Sequence, residues 1–106
     1  MLKSKKTKKL RLLHPGDCLR GVLEDASLNA NTVALALCVP ANRITEILNG
    51  RRAITADTAM RLGRYFGTSA QMWVNLQAKY DLEAAEEKLA ERIAMEVQPM
   101  QRASKR

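Results

Sequence analysis

The sequence predicts an all-α protein of five helices, the last of which extends far toward the C-terminus. Three observations support this class. Apolar residues make up 46% of the 106 positions, whereas glycine and proline are few, as expected for one compact helical domain. Apolar positions recur three and four residues apart, and no stretch alternates as a half-buried strand does. Residues that favour helix starts precede most of the apolar segments.

The first helix is expected to begin at Pro15, which suits a first helical turn, with Asp17 beside its N-terminus. Gly21 lies inside this helix and weakens it by about 1 kcal/mol, so we expect a close packing contact there. The predicted apolar face consists of Leu19, Val22 and Leu23.

The next two helices are short and lie close together in the sequence. Asn29 is a good cap for the second helix, Pro40 suits the start of the third, and Gly50 ends it. The third helix should bury Ile44, Ile47 and Leu48 and leave a polar face outward.

Thr55 and Ser69 are the predicted caps of the fourth and fifth helices, and the fifth is expected to continue until Pro99. The fourth helix should end at Gly67. The side chains that we expect to point into the core from these two helices are Ala59, Leu62, Tyr65, Phe66, Met72, Trp73 and Tyr80.

The formal charge of +7 comes from the two ends of the chain. Residues 1–13 contain six basic and no acidic side chains, whereas residues 14–100 carry a net charge of −2 and residues 80–100 a net charge of −4. We therefore expect a flexible basic arm, which either follows a phosphate backbone or stays solvated. The predicted organisation is an arm at 1–13, a helix-turn-helix domain at 14–80, an acidic amphipathic helix at 81–98 and a basic tail at 99–106.

The second and third helices, joined by a short turn, have the spacing with which a helix-turn-helix presents its recognition helix to the major groove. Arg43 could contact guanine and Asn42 adenine. Arg51, Arg52 and the backbone amides near Asn31 and Thr32 could hold phosphates. Glu46 would repel phosphate unless it accepts a hydrogen bond from cytosine or pairs with Arg43. The spacing alone leaves open a core helix with a polar surface.

The blocks "VPANRITEILNGRRAITADTAMRL", "RYFGTS" and "WVNLQAKYDL", with "HPGD" before them, make the segment 14–83 resemble the HigA family of toxin–antitoxin antidotes. This family is a branch of the XRE-type, lambda-repressor-like helix-turn-helix regulators. The resemblance implies a homodimeric repressor that binds palindromic operator DNA in its own operon. It also implies direct neutralisation of a HigB-like mRNA-cleaving toxin. The implied DNA-facing residues are Ala41, Asn42, Arg43, Thr45 and Glu46, with phosphate contacts near Asn31, Asn49, Arg51 and Arg52.

Two positions depart from the pattern of XRE-type domains. Ala30 stands where a glutamine often anchors phosphate, and Cys38 stands where glycine usually occupies the turn. A non-glycine residue in the left-handed conformation costs about 1–2 kcal/mol. The turn is therefore expected to be either strained or differently shaped.

An apolar stripe follows the helix-turn-helix segment, and the sequence leaves open what it packs against. The stripe could pair with a second copy of the chain, clasp the toxin, or pack back on the protein's own helices. Two other functions stay open as well: a stand-alone XRE-type repressor, and a helical interaction module with a vestigial motif. The stripe consists of Leu82, Leu89, Ile93 and Val97.

We expect no enzyme activity and no cofactor. His14 is the only histidine and lies at a helix start, where capping or surface exposure is expected. Cys18 and Cys38 lack the spacing of a metal site and are expected to be free thiols in a reducing compartment. No apolar run is long enough to span a membrane, so a cytoplasmic protein is expected.

Overall fold

The computed structural model describes residues 13–101, and within them the chain forms five α-helices and no strand. Most of the predicted arm at 1–13 and of the predicted tail at 99–106 lies outside this range. The all-α prediction is confirmed, and the helices begin within a residue or two of the expected positions. The helices are α1 (Pro15–Asp25), α2 (Ala30–Leu37), α3 (Ala41–Leu48), α4 (Ala56–Phe66) and α5 (Ala70–Glu96).

Four of the helices begin with a side chain that accepts a hydrogen bond from a backbone N–H of the first turn, which satisfies a donor that the helix itself leaves unpaired. At α1 this residue is His14, whose Nδ1 accepts from Gly16 N at 2.8 Å, while Asp17 accepts from the His14 N–H at 3.2 Å. The expected capping role of His14 is thus confirmed. The other three caps are Asn29, Thr55 and Ser69.

The core lies where all five helices meet, around Trp73. This indole is fully buried, and its Nε1 donates to Thr68 Oγ1 at 3.0 Å, so the polar edge of the ring is satisfied. The apolar positions expected from helical spacing supply most of the remaining core. They are Leu19, Leu23, Val33, Ala34, Leu37, Ile44, Ile47, Ala59 and Leu62, together with Ile54 from the loop before α4.

Contacts from α1 hold the C-terminal end of α3 in place. A Cβ atom on Gly16 would lie 1.9 Å from the carbonyl oxygen of Ile47, so only glycine allows this approach of the two backbones. Arg20 Nη2 donates to the carbonyl oxygen of Leu48 at 2.9 Å and satisfies an acceptor that the end of α3 leaves unpaired. The back of α3 is therefore fixed on the domain while its other face is free.

Three expectations about packing are wrong. A Cβ atom added to Gly21 would meet nothing within 4 Å, so no close contact requires glycine there. Tyr65 is 44% exposed, because Phe66 occupies the inward position at the end of α4 and Tyr65 packs edge-on against that ring at 4.9 Å. Met72 is 38% exposed, because Trp73 and Gln77, one turn apart, define the inward face of α5. Tyr80 is half-buried and packs edge-on against His14 at 4.8 Å.

The two halves of α5 differ in burial. Buried Gln77 accepts a hydrogen bond from the Ile54 N–H at 2.8 Å and donates to Asp81 at 2.9 Å, which ties the first half to the loop before α4. Beyond this point the predicted stripe is exposed, and the described part of the same chain does not cover it, in contrast to the alternative in which it packs on its own helices. The exposed fractions are 61% for Leu82, 39% for Leu89, 49% for Ile93 and 60% for Val97. None of the described helices is long and apolar enough to cross a membrane.

Candidate nucleic-acid interface

The turn between α2 and α3 keeps its left-handed shape although Cys38 replaces glycine. Cys38 has φ 60° and ψ 46°, and the next residue, Val39, donates its N–H to the Ala34 carbonyl at 3.0 Å. This closes the end of α2 as a glycine-containing cap would. Of the two expected alternatives, the strained turn is the one observed, at a cost of about 1–2 kcal/mol.

Helix α3 has one buried and one outward face, as the spacing predicts. Ile44 and Ile47 are fully buried, while Ala41, Asn42 and Thr45 are exposed on the opposite side. The Thr45 hydroxyl lies 3.3 Å from the Asn42 carbonyl oxygen, to which it can donate, so its proton is used within the helix. The outward face thus presents one free amide side chain, Asn42, between small side chains.

Arg43 lies at the edge of this face and is held there by an acid from α4. Its Nη1 donates to Asp57 Oδ2 at 2.9 Å, and the Arg43 side chain is 29% exposed. Asp57 Oδ2 also accepts from Arg61 Nε at 3.0 Å, while Arg61 Nη1 donates to the Leu37 carbonyl at 2.9 Å. The hydrogen bond from Arg61, followed by that from Arg43, holds the pKa of the Asp57 carboxyl below its usual value.

Glu46 pairs with Arg52 and not with Arg43, which corrects one of the alternatives considered from the sequence. Arg52 Nε and Nη2 both donate to Glu46 Oε1, at 2.8 and 2.6 Å. The pairing follows from position, because the chain turns back after α3 and brings Arg52 beside the outward side of Glu46. The carboxylate that would repel phosphate is therefore neutralised within the protein, and Arg52 is partly engaged.

The other residues predicted to contact phosphate lie at the start of α2 and just beyond α3. Asn31 and Thr32 are exposed at the start of α2, but the Thr32 N–H already donates to Asn29 Oδ1 at 2.8 Å. Ala30 is half-buried and packs against the core, so its position cannot offer the polar contact of a glutamine. Asn49 and Arg51 are exposed just beyond α3.

A recess of about 250 Å³ separates α3 from the start of α4. Its wall contains the Arg43–Asp57 pair and Arg52, so guanidinium and carboxylate groups alternate along its edge. Sequence reasoning found neither Asp57, which lines the recess, nor Arg61, which donates a hydrogen bond to it. The four-residue spacing of these two residues on α4 was the available signal, because opposite charges at that spacing pair on a helix. The remaining residues that line the recess are Ala53, Thr55 and Thr58.

The described residues contain no cluster of three or more His, Cys, Asp or Glu side chains that could hold a metal ion. Cys18 and Cys38 are both free thiols. The polar surface on and around α3 is therefore built from amide, hydroxyl, guanidinium and carboxylate groups. These groups recognise a ligand by hydrogen bonds and charge.

Comparisons with known proteins agree with this geometry. The helix-turn-helix family model matches residues 19–73. Virulence-associated protein I of Dichelobacter nodosus is 51% identical over 76 residues, which are 71% of this chain and 70% of that protein. An addiction module antidote protein of the HigA family from Coxiella burnetii superposes with a TM-score of 0.78 at 45% identity, covering 83% of this chain and 97% of that one.

A third similar protein was solved together with DNA. The Pseudomonas aeruginosa antitoxin HigA with the higBA promoter is 41% identical and has a TM-score of 0.81, covering 84% of this chain and 98% of that one. The family-model match over residues 19–73 includes the buried core, the turn at Cys38 and all of α3. The chain therefore belongs to the XRE-type helix-turn-helix family, in its branch of HigA addiction-module antidote proteins.

Proposed function

We propose that this protein is an antitoxin that binds operator DNA in its own promoter through α3 and represses its own operon. The observation that carries the proposal is the exposed polar face of α3, fixed from behind by Ile44 and Ile47 and bordered by Arg43. A helix of this kind fits the major groove when its apolar side is buried and its polar side projects. The similarity to a HigA protein solved with promoter DNA supports it.

Within this proposal the residues of α3 read bases. Asn42 can form the paired hydrogen bonds that an amide makes with adenine, and Arg43 those that a guanidinium makes with guanine. Ala41 is small and exposed, and Thr45 has its hydroxyl proton engaged within the helix, so both would contribute apolar contact to a thymine methyl group. Glu46 lies beside them as the partner of Arg52.

The surrounding residues would contact the phosphate backbone and fix the register of α3 in the groove. These contacts carry no sequence information by themselves. The proposed phosphate-binding residues are Asn31, Thr32, Asn49, Arg51 and Arg52, all of them exposed.

The operator is proposed to be palindromic, because the protein is proposed to bind as a homodimer. Two recognition helices related by twofold symmetry meet equivalent half-sites about one helical turn of DNA apart. The exposed stripe on α5 would supply the contact to the second copy or to the toxin. Burial of this stripe is favourable for either partner, since its side chains are apolar.

The toxin is proposed to be a HigB-like mRNA-cleaving protein that the antitoxin neutralises by direct binding. A protein that binds RNA needs basic groups to meet phosphates. The segment 80–100 forms the second half of α5 and the residues after it, and it carries a net charge of −4. Charge complementarity therefore favours this segment as the toxin-facing surface.

Binding to DNA can be tested with the region upstream of the gene and a random duplex of equal length at moderate salt. We expect Arg43→Ala to reduce the preference for upstream DNA by about fivefold or more, the loss of one good base contact. Arg64→Ala is the matched control, because it removes the same charge from an exposed position in the last turn of α4. Unchanged affinity and preference in Arg43→Ala would refute the assignment of α3.

Toxin neutralisation requires a separate experiment. The protein would be co-expressed with the product of the adjacent open reading frame, followed by co-purification and a growth assay. We expect a stable complex and rescue of growth. A neighbour that is not toxic, or that is toxic but neither binds nor is counteracted, would instead favour a stand-alone repressor.

A further inference from the structure

Asp57 connects the three helices that build the candidate DNA-binding surface. Its Oδ2 atom accepts from Arg43 Nη1 on α3 at 2.9 Å and from Arg61 Nε on α4 at 3.0 Å. Arg61 in turn donates from Nη1 to the Leu37 carbonyl, the last residue of α2, at 2.9 Å. The Asp57 carboxylate thus links α3 to α4, and Arg61, which is bonded to it, links α4 to the end of α2.

The ion pairs of Asp57 contribute little to the stability of the fold. The Asp57 side chain is 55% exposed, and ion pairs between exposed groups contribute little because solvent screens them. The hydrogen bond from Arg61, followed by that from Arg43, keeps the pKa of Asp57 below its usual value. Both are hydrogen bonds between charged groups, which are stronger than those between neutral groups. An ion pair that joins α3 to α4 but contributes little to stability points to a role in orientation.

The hydrogen bond to Asp57 restricts the orientation of the Arg43 guanidinium group. Arginine has a long flexible side chain, but its guanidinium is planar and carries five N–H donors in a fixed fork. With Nη1 bonded to Asp57, rotation of the side chain toward a phosphate would break that bond. The plane of the group is therefore set, and its remaining donors keep a defined direction at the edge of α3.

We propose that Asp57 is a positioning residue for sequence reading, which holds the Arg43 guanidinium toward a base edge and away from the phosphate backbone. This inference rests on the proposed binding of operator DNA. Guanine is recognised through two parallel hydrogen bonds to O6 and N7, which require a particular orientation of the guanidinium plane. Fixing that plane should therefore improve the discrimination between guanine and the other bases. Phosphate contacts do not depend on base identity and need no such orientation.

The negative charge of Asp57 gives the proposal a distinctive signature. A carboxylate beside the DNA backbone opposes non-specific binding, which depends on neutralising phosphates. Removal of this charge should leave affinity for a random duplex equal to or above that of the wild type while preference for the operator falls. A residue that only supported the fold would lower both affinities together.

The test is Asp57→Asn, which keeps the size of the side chain and removes the charge. Affinities for the operator and for a random duplex would be measured across a salt series, at a temperature where circular dichroism shows both proteins folded. We expect the ratio of the two affinities to fall about 5- to 10-fold, with the random-duplex affinity not reduced. Asp25→Asn, the same change at an exposed carboxylate at the end of α1, is the charge-matched control and should leave the ratio unchanged.

A double variant isolates the action through Arg43. In an Arg43→Ala background, Asp57→Asn should not lower the ratio further, because the group that it positions is absent. A ratio within about twofold of the wild type in the single variant, or an undiminished further loss in the double variant, would overturn the proposal. If the wild type itself shows no preference for upstream DNA, the proposed function fails. If only the Asp57→Asn result fails, operator binding stands.

Discussion

The first and second halves of α5 have similar helical geometry but opposite surroundings. In the first half Trp73 is fully buried and Gln77 is 7% exposed, and both are hydrogen-bonded to neighbouring segments. In the second half Leu82 and Ile93 remain 61% and 49% exposed. Apolar spacing therefore continues along the helix beyond the point where the described residues pack against it.

The same helical spacing of apolar residues thus has a different consequence in each half of α5. The apolar face of the first half completes a core within a single chain, so its contribution appears as folding stability. The described residues leave the face of the second half exposed, so under the proposed function its contribution would appear as association. The buried side of α3 packs into the same core as the first half of α5. The polar side of α3 is chemically unlike the apolar faces of both halves of α5.

The largest expected effect on folding is that of Trp73→Ala. Truncation of a fully buried tryptophan should lower the free energy of unfolding by about 3–5 kcal/mol, because it leaves a cavity where the helices meet. Urea unfolding of dilute protein measures this loss. Ile93→Ala is the matched variant from the second half and should change the value by no more than about 0.5 kcal/mol. Similar losses in both variants would contradict the division of α5.

The second prediction compares two glycines of α1. Gly16→Ala should cost about 1–3 kcal/mol, since the added Cβ would overlap the Ile47 carbonyl oxygen and push α1 away from α3. Gly21→Ala meets no atom and should stabilise the helix by about 0.5–1 kcal/mol. Thermal and urea unfolding of the two variants would check the opposite signs. A loss of stability in Gly21→Ala would show a contact that α1 does not make in this structure.

Much of this fold could be predicted from local signals. The caps Asn29, Thr55 and Ser69 and the apolar faces of α2 and α3 depend on neighbours within a few residues, which sequence spacing reports. Gly16 and Gly21 could not be told apart, because the difference is a contact with Ile47, 31 positions away from Gly16.

In the candidate site, too, the features set by local spacing could be predicted and the long-range contacts could not. Its outward residues Asn42 and Arg43 followed from the period of α3, and the family resemblance favoured the same positions. The acids that hold the arginines did not follow, because Arg43 and Asp57 are 14 residues apart and Glu46 and Arg52 meet only after the chain turns. Tyr65 and Met72 show that aromatic and apolar residues at the edge of a helical face need the full packing to be assigned.

A smaller effect is expected at the turn before α3. Cys38→Gly should raise the free energy of unfolding by about 0.5–1 kcal/mol, because glycine adopts the left-handed conformation without strain. The gain is smaller than the strain itself, since glycine loses more conformational entropy on folding. Cys38→Ala removes the same thiol without this relief and should show no gain. Equal stabilities of the two variants would mean that φ at this position carries no strain.

The smallest effect on the folding of one chain is expected for Leu89→Ser combined with Ile93→Ser. Both side chains are exposed, so unfolding of dilute protein should change by no more than about 0.5 kcal/mol. Association should weaken, because the double variant removes apolar area from the proposed contact. Sedimentation and toxin co-purification report on the two possible partners. Wild-type behaviour in both assays would contradict the proposed role of the stripe.

Methylation protection of the operator tests most directly whether α3 reads DNA in the major groove. Guanine N7 lies in that groove and is the atom to which Arg43 is proposed to donate. We predict that the wild type protects a guanine in each half-site and that Arg43→Ala exposes this guanine while phosphate contacts elsewhere persist. Protection that is identical in the wild type and Arg43→Ala, or that is absent from both, would contradict the proposal that α3 reads bases through Arg43.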